Sequence, residues 1–347
     1  MTLQTPMPLP ELQAKPLVSV LMASWNYRRF IGAAIESAVR QSHENLEVVV
    51  VDDGSSDDSC RIVQGYADRD VRVRLFRKQN GGAGSALNRA LAESRGEIAC
   101  FLDADDLWAA DKLAKIVAAF RDNPDAGLAT HPLAIIDAEG SRLGEFQCVE
   151  GGLLGDEIAT LRMGHLFPVS SGLSFRRTVL DYVMPIPEER FRSAADLAIA
   201  YAAALLTRTV RLPEVLASYR VHGANLTGTT LTAAREDAEL VRKILSAVER
   251  PVEFADELSR SHLGRPVPPS RSRNVLEHRL LLALLTGDRS SLRKASADLR
   301  QAFAEVRRDY PRRRFLAWQG LAALPPPLAR FGLQAVLGCL RLSRRLG

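Results

Sequence analysis

The chain has 347 residues, 46% of them apolar and 25% charged, a balance that excludes disordered and fibrous classes and predicts one large α/β domain followed by a smaller helical piece. Its net charge of +5 is modest, but arginines crowd toward the end, in Arg307, Arg308, Arg312, Arg313, Arg314, Arg341, Arg344 and Arg345. Cys60, Cys100, Cys148 and Cys339 lack any CxxC spacing, which argues against a zinc knuckle or a disulfide framework and fits a reducing cytosol.

Residues 1–16, rich in Pro and Gln, lack the basic start and apolar stretch of a secretory signal and are predicted to be a flexible arm. No apolar run approaches the roughly 20 residues that span a bilayer, so no transmembrane helix is expected and a cytoplasmic location is. From Leu17 to Thr130, β-branched runs alternate with amphipathic stretches, the pattern of parallel strands joined by crossover helices. Strands are predicted at Val18–Ala23, Leu46–Val51, Val71–Phe76, Ile98–Leu102 and Gly127–Thr130. The helices between them are predicted at Phe30–Gln41, Ser56–Ala67, Ala83–Ser94 and Ala110–Arg121, the second capped by Ser55 or Ser56 with Asp57 and Asp58 at its positive end. Beyond Thr130 the sheet is expected to become mixed. A hairpin is predicted through Ile136, Asp137, Gly140 and Phe146, then an apolar segment Val169–Phe175, a helix Ala194–Leu206 and an extended run Val215–His222. From Thr232 the pattern is helical, broken by a Pro, Ser and Arg cluster at Gly264–Arg273.

The segment Phe101-Leu102-Asp103-Ala104-Asp105-Asp106 places carboxylates at the end of a buried strand. Alternate residues of an extended chain point the same way, so Asp103 and Asp105 can face one site together. Close carboxylates raise each other's pKa unless a cation compensates, and Mg²⁺ or Mn²⁺ with diphosphate oxygens suits that need. The bland alternative is an acidic loop that caps the next helix. Asp52 and Asp53, after the second strand and before Gly54 and Ser55, are placed to meet a nucleoside, or else form an Asx turn. The turn after the first strand, Ala23-Ser24-Trp25-Asn26-Tyr27-Arg28, has no glycine fingerprint, which argues against a dinucleotide cofactor. Trp25 either stacks on a base or fills the core, the second being commoner.

In order and spacing, Val18 to Tyr27, Val51 to Asp57, Asn80-Gly81-Gly82 through Asn88, and Phe101 to Asp106 resemble a family 2 glycosyltransferase with the GT-A fold. The resemblance continues through Ser170 to Arg177, Ala195-Asp196-Leu197 and Tyr219 to Thr227. Leu87 stands where that family commonly has an arginine before Asn88. The resemblance implies a Rossmann-like, mainly parallel sheet, with residues 17–130 as the nucleotide-sugar half, 131–230 as the acceptor half and 231–347 as a helical extension. It implies that Ala23, Ser24, Asn26, Tyr27, Asp52, Asp53, Gly82, Asn88, Asp103 and Ala104 line the donor site. It further implies that Asp105, Asp103 and His222 hold Mg²⁺ or Mn²⁺, unless His222 contacts the diphosphate or is an ordinary exposed histidine. Asp196, without the glutamate that often precedes it in such enzymes, would be the catalytic base, unless it only satisfies a helix dipole.

The implied reaction is an inverting transfer from a nucleoside diphosphate sugar, UDP-linked foremost, to a saccharide, lipid-linked or other hydroxyl acceptor, as in bacterial-type polysaccharide or glycoconjugate synthesis. Two alternatives stay open: a non-catalytic nucleotide-sugar-binding module and a sugar nucleotidyltransferase, the latter disfavoured because Ser24 to Arg28 lacks its glycine- and arginine-rich loop. Nucleic acid is not an expected partner, since aromatics interleaved with the basic residues are scarce. The tail from Leu328, with Phe331, Val336, Leu337 and Leu340 beside Arg341, Arg344 and Arg345, suggests either contact with an anionic membrane or a helix packed on the catalytic domain. His43, His131, His165, His262 and His278 have no motif around them and are expected to be structural.

Overall fold

The computed structural model of the protein describes residues 7–146, 167–222, 238–263, 273–286 and 288–305. Eleven strands occur among them: β1 (Val18–Ser24), β2 (Leu46–Asp52), β3 (Val73–Arg77), β4 (Ile98–Phe101), β5 (Leu107–Trp108), β6 (Ala126–Thr130), β7 (Leu133–Ile136), β8 (Arg142–Phe146), β9 (Leu173–Arg176), β10 (Arg208–Arg211) and β11 (Ala217–Arg220). The helices are α1 (Ile31–Val39), α2 (Ser59–Ala67), α3 (Ala83–Glu93), α4 (Lys112–Asp122), α5 (Arg177–Val183), α6 (Ala195–Leu206), α7 (Ala238–Leu263), α8 (Arg273–Thr286) and α9 (Arg289–Glu305).

A seven-stranded sheet runs β10-β6-β9-β4-β1-β2-β3, parallel except for β9, which pairs antiparallel with β4 and β6. A second sheet, β5-β11-β7-β8, carries the hairpin expected around Gly140. Alternation divides the main core into two layers. Leu21, Val49, Val51, Ala99 and Phe101 face α3, α5 and α6, whereas Val20, Met22, Val48, Val50 and Cys100 face α1 and α4. Helix α1 buries Ile31, Ala34, Ile35 and Ala38, and α4 buries Leu113, Ile116, Val117 and Phe120, the spacing of one helical face. Helix α6 is apolar nearly all round, as a helix covered on several sides must be, and it lies between the sheet and α7.

Two local expectations are corrected. Residues 7–16 form an anchored strap along the amino-terminal edge of the sheet, not a flexible arm. Met7 N donates to Leu206 O, Gln13 N to Glu97 Oε2 and Asn45 Nδ2 to Lys15 O, while Arg176 and Arg121 reach the carbonyls of Pro10 and Ala14. Helix α2 starts after Asp58, and no side chain caps it. Ser55 Oγ and Ser56 N bind Asn26 instead, which joins the turns that follow β1 and β2. The Pro, Ser and Arg cluster at 264–273 and the basic tail lie almost wholly outside the described residues, as does the run after Gly223. Among the described residues no helix is long and apolar enough to cross a membrane.

Candidate active site

The chain leaves β1 toward β2 and β3 on one side, while β4 pairs with β1 on the other. The carboxyl ends of β1 and β4 therefore flank the crevice in which doubly wound sheets hold their ligands. Strand β4 stops at Phe101, and Asp106 N donates to Asp103 O at 3.1 Å, so the acidic residues occupy a tight turn. The extended-chain alternation expected for Asp103 and Asp105 is thus incorrect: a turn, not a strand, gathers them, with Ala104 buried at its tip.

Asp105 and Asp106 are buried, and Asp103 is half-buried. Burial raises the pKa of all three. For Asp103 and Asp106 the neighbouring carboxylates raise it further, while His222 and Arg220 offset part of the rise at Asp105. His222 Nε2 lies 2.9 Å from Asp105 Oδ2, and its ring packs 4.8 Å from Phe30. Arg220 braces the turn from β11: its backbone N donates to Asp106 Oδ1 at 2.9 Å and its Nε to Asp105 O at 2.7 Å. Ser171 Oγ accepts from Asp103 N, and the buried Lys112 Nζ donates to Ser171 O at 2.6 Å from above the Trp108 ring. Burial pulls the Lys112 pKa down to about 7.

A divalent cation fits this donor set, but not through all three expected ligands. Among the described residues no three His, Cys, Asp or Glu side chains are placed to hold one ion. Asp105 and His222 meet, whereas Asp103 bonds the Ser170 hydroxyl and feels both Asp105 and, less strongly, Asp196. The Asp105 carboxylate leaves positions for the phosphate oxygens and water that Mg²⁺ and Mn²⁺ usually take, with the His222 imidazole as an additional nitrogen donor.

The residues expected to meet a nucleoside turn much of their hydrogen-bonding capacity inward. Asp52 Oδ1 accepts from Ser55 N, closing a tight turn that contains Gly54 at φ +81. Asp53 Oδ1 accepts from Lys78 Nζ and Gly81 N, and its Oδ2 accepts from Gly82 N at 2.7 Å. Gly82 has φ +91, and a Cβ there would lie 2.6 Å from Arg192 Cα. Asn88 forms a reciprocal amide pair with the backbone of Ile186, at 2.9 and 3.0 Å. Leu87, in place of the family's arginine, is buried in the core.

Ala23 and Ser24 end β1, where Ser24 O accepts from Asp53 N. Asn26 adopts φ +60, and its Oδ1 accepts from Ser56 N at 2.9 Å. Tyr27 N donates to Ser59 Oγ, and its phenol is held protonated by burial and by Asp105, Asp103 and Asp106. Trp25 is 53% exposed, which excludes the core-filling role.

Asp196 lies in the first turn of α6, after Ala194 in a left-handed conformation (φ +57). Ser170 Oγ donates to Asp196 Oδ2 at 3.2 Å and also bonds Asp103, so one hydroxyl links the two carboxylates. The helix dipole favours the ionised form of Asp196. Burial wins instead: it raises the carboxyl pKa above the usual range, against hydrogen bonds from Leu197 and Ser170 that lower it.

Sequence reasoning assigned no role to Ser170, Ser171, Lys112 or Arg220. A charged residue inside the extended run Val215–His222 was the available signal for Arg220; the serines offered none, because they act only through turns distant in sequence.

Residues 19–181 match the family described as Glycosyl transferase family 2. An uncharacterised glycosyltransferase of Nostoc sp. is 34% identical over 261 residues, covering 74% of this chain and 80% of that protein. An uncharacterised glycosyltransferase of Haemophilus influenzae is 40% identical over 101 residues, which is 29% of this chain and 40% of its own length. The crystal structure of S. aureus TarS 1-349 in complex with UDP-GlcNAc superposes with a TM-score of 0.55 at 19% identity, over 94% of this chain and 92% of that one, and so shares its fold.

Proposed function

The chain belongs to glycosyl transferase family 2, and on that premise we propose that it is an inverting enzyme, dependent on Mg²⁺ or Mn²⁺, that moves a sugar from a nucleoside diphosphate, UDP foremost, to an acceptor hydroxyl. Bacterial polysaccharide or glycoconjugate synthesis is the setting in which such a transfer belongs. The observation that carries the reading is the pairing, through Ser170, of a raised-pKa carboxylate at Asp196 with the acidic turn at Asp103.

Asp105 and His222 would hold the cation, which when bound neutralises charge growing on the departing diphosphate. The turns after β1 and β2 form the nucleoside wall, where exposed Trp25 offers a face to the base. Asp103 lies between the metal side and the base side and would orient the donor. Asp196 accepts the acceptor's hydroxyl proton as that oxygen bonds to the anomeric carbon on the face opposite the diphosphate. The sugar–phosphate bond breaks with its electron pair on the leaving oxygen, so no covalent enzyme intermediate is needed. A carboxyl with a raised pKa is a better proton acceptor than an ordinary aspartate, and a base is most effective when its pKa lies near the working pH.

The test is a panel of UDP-, dTDP- and GDP-sugars with Mn²⁺, Mg²⁺ or EDTA, read as release of nucleoside diphosphate. Metal-dependent turnover of one donor class supports the proposal. Binding without turnover of any donor, with saccharide acceptors supplied, would instead favour a non-catalytic nucleotide-sugar-binding module.

A further inference from the structure

Residues 184–194 connect α5 to α6 and end on Ala194, the left-handed residue that starts the helix of Asp196. This segment is gripped from two sides. From the donor half, Ala83 N and Gly84 N donate to Arg192 O and Phe191 O, both at 3.0 Å, and Ser85 Oγ donates to Glu188 Oε2 at 2.6 Å. The opposite grip comes from α7, the first described helix of the C-terminal extension. There the Arg190 guanidinium reaches Glu257 at 2.9 Å and Glu253 at 3.1 Å. Arg250 Nη1 donates to Arg190 O at 2.8 Å while Arg190 Nη2 donates to Arg250 O at 3.3 Å, so each arginine holds the other's main chain. The Phe191 ring meets Phe254 edge-on at 5.3 Å.

Among the described residues, helix α7 supplies no group to the acidic turn or to the turns after β1 and β2, and it lies beyond the span matched by the family. Its contacts nevertheless converge on the backbone that feeds Asp196. We infer that Arg190 is a positioning residue for Asp196 and that α7 serves as a brace, holding the acceptor-side carboxylate in register with the donor. The inference rests on Asp196 being the base.

The physical case is a contrast of scales. Glu253 and Glu257 are partly exposed, and ion pairs near solvent stabilise a fold little. A displacement of about 1 Å in a reacting group can cost roughly a hundredfold in rate. Loosening Arg190 should therefore leave the fold nearly as stable and slow the chemistry.

The experiment uses the full chain and the fastest donor of the nucleotide-sugar panel. Arg190→Met keeps the apolar stem and removes the charge. Its kcat should fall about tenfold, less than a full 1 Å displacement would cost, with donor KM unchanged, and Arg190→Lys should recover part of the loss. In Asp196→Asn, adding Arg190→Met should cost nothing further, because the residue acts through a base already absent. If the two losses multiply, Arg190 acts elsewhere and the inference is overturned. If Asp196→Asn alone keeps wild-type turnover, the base assignment is what has failed, whatever Arg190→Met does. Should Arg190→Met not fold, Glu253→Gln with Glu257→Gln releases the same guanidinium from the other side. An unchanged kcat in that pair overturns the inference, and a loss confined to kcat supports it.

Discussion

The acidic turn at Asp103–Asp106 and the segment leading to Asp196 face the same crevice, but they are held in different ways. The turn is fixed by buried groups: Arg220 and Ser171 bind its backbone and carboxylates, and buried Lys112 holds Ser171 in turn. The Asp196 segment is fixed by side chains reaching from α3 and α7 to a partly exposed loop. The first arrangement tolerates little change, since each buried group relies on the others. The second rests on ion pairs nearer solvent, each of which can be removed with little cost to the fold.

That contrast is most severely tested at Asp105. Asp105→Ala removes the carboxylate beside His222, and kcat should drop by about a thousandfold, the upper range for losing one electrostatic stabiliser. Metal-dependent nucleotide binding, read by calorimetry with and without Mn²⁺, should vanish with it. Unchanged affinity in both conditions would place the cation elsewhere.

Asp196→Asn should cost about a hundredfold or more in turnover, as for other lost acid–base groups, while donor affinity stays level. The wild-type pH profile adds a sign. Because burial raises the Asp196 pKa, the basic form is lost as pH falls through that raised value, so the acid limb of kcat should begin above the ordinary aspartate range of about 3.9. Asp196→Asn should remove that limb. Its persistence would assign the titration to another carboxyl.

A smaller effect is expected at the loop's grip on α3. A Cβ at residue 84 would lie 2.5 Å from Phe191 O, so Gly84→Ala must push the loop away. The expected cost is about 1–3 kcal/mol of stability, the usual range for overpacking, read by urea denaturation. Turnover should fall with less change in metal-dependent nucleotide binding, the reverse of Asp105→Ala. The smallest change is expected for Asn88→Ala, which breaks both hydrogen bonds to Ile186 at about 1–2 kcal/mol in all, near 1 kcal/mol for each. Were Asn88→Ala to weaken nucleotide binding more than it slows transfer, Asn88 would belong to the donor side, as the sequence resemblance implied.

Much of this frame was legible because its signals are local. The run Val48 to Val51 can only be a strand buried on both faces, and Phe101 to Asp106 marks a strand end with carboxylates. The manner in which Asp103 and Asp105 meet was not legible, because local spacing does not distinguish a strand that continues through Asp103 from one that stops at Phe101. Asp53 and Asn88 were read as ligand contacts from their motifs, while their partners are loop amides and a backbone pair 98 residues away. Arg190 carried no signal at all, for its carboxylate partners lie 63 and 67 residues on, in a helix whose own pattern says only that it is amphipathic.

The strap at residues 7–16 bears on how the molecule can be handled. It runs under the amino-terminal ends of the strands, so a surface tether joined there would leave the crevice pointing away from the support. β1 has seven residues, which at about 3.3 Å each sets the tether roughly 23 Å from the donor site. An immobilised enzyme attached by that edge should keep the donor affinity it has in solution.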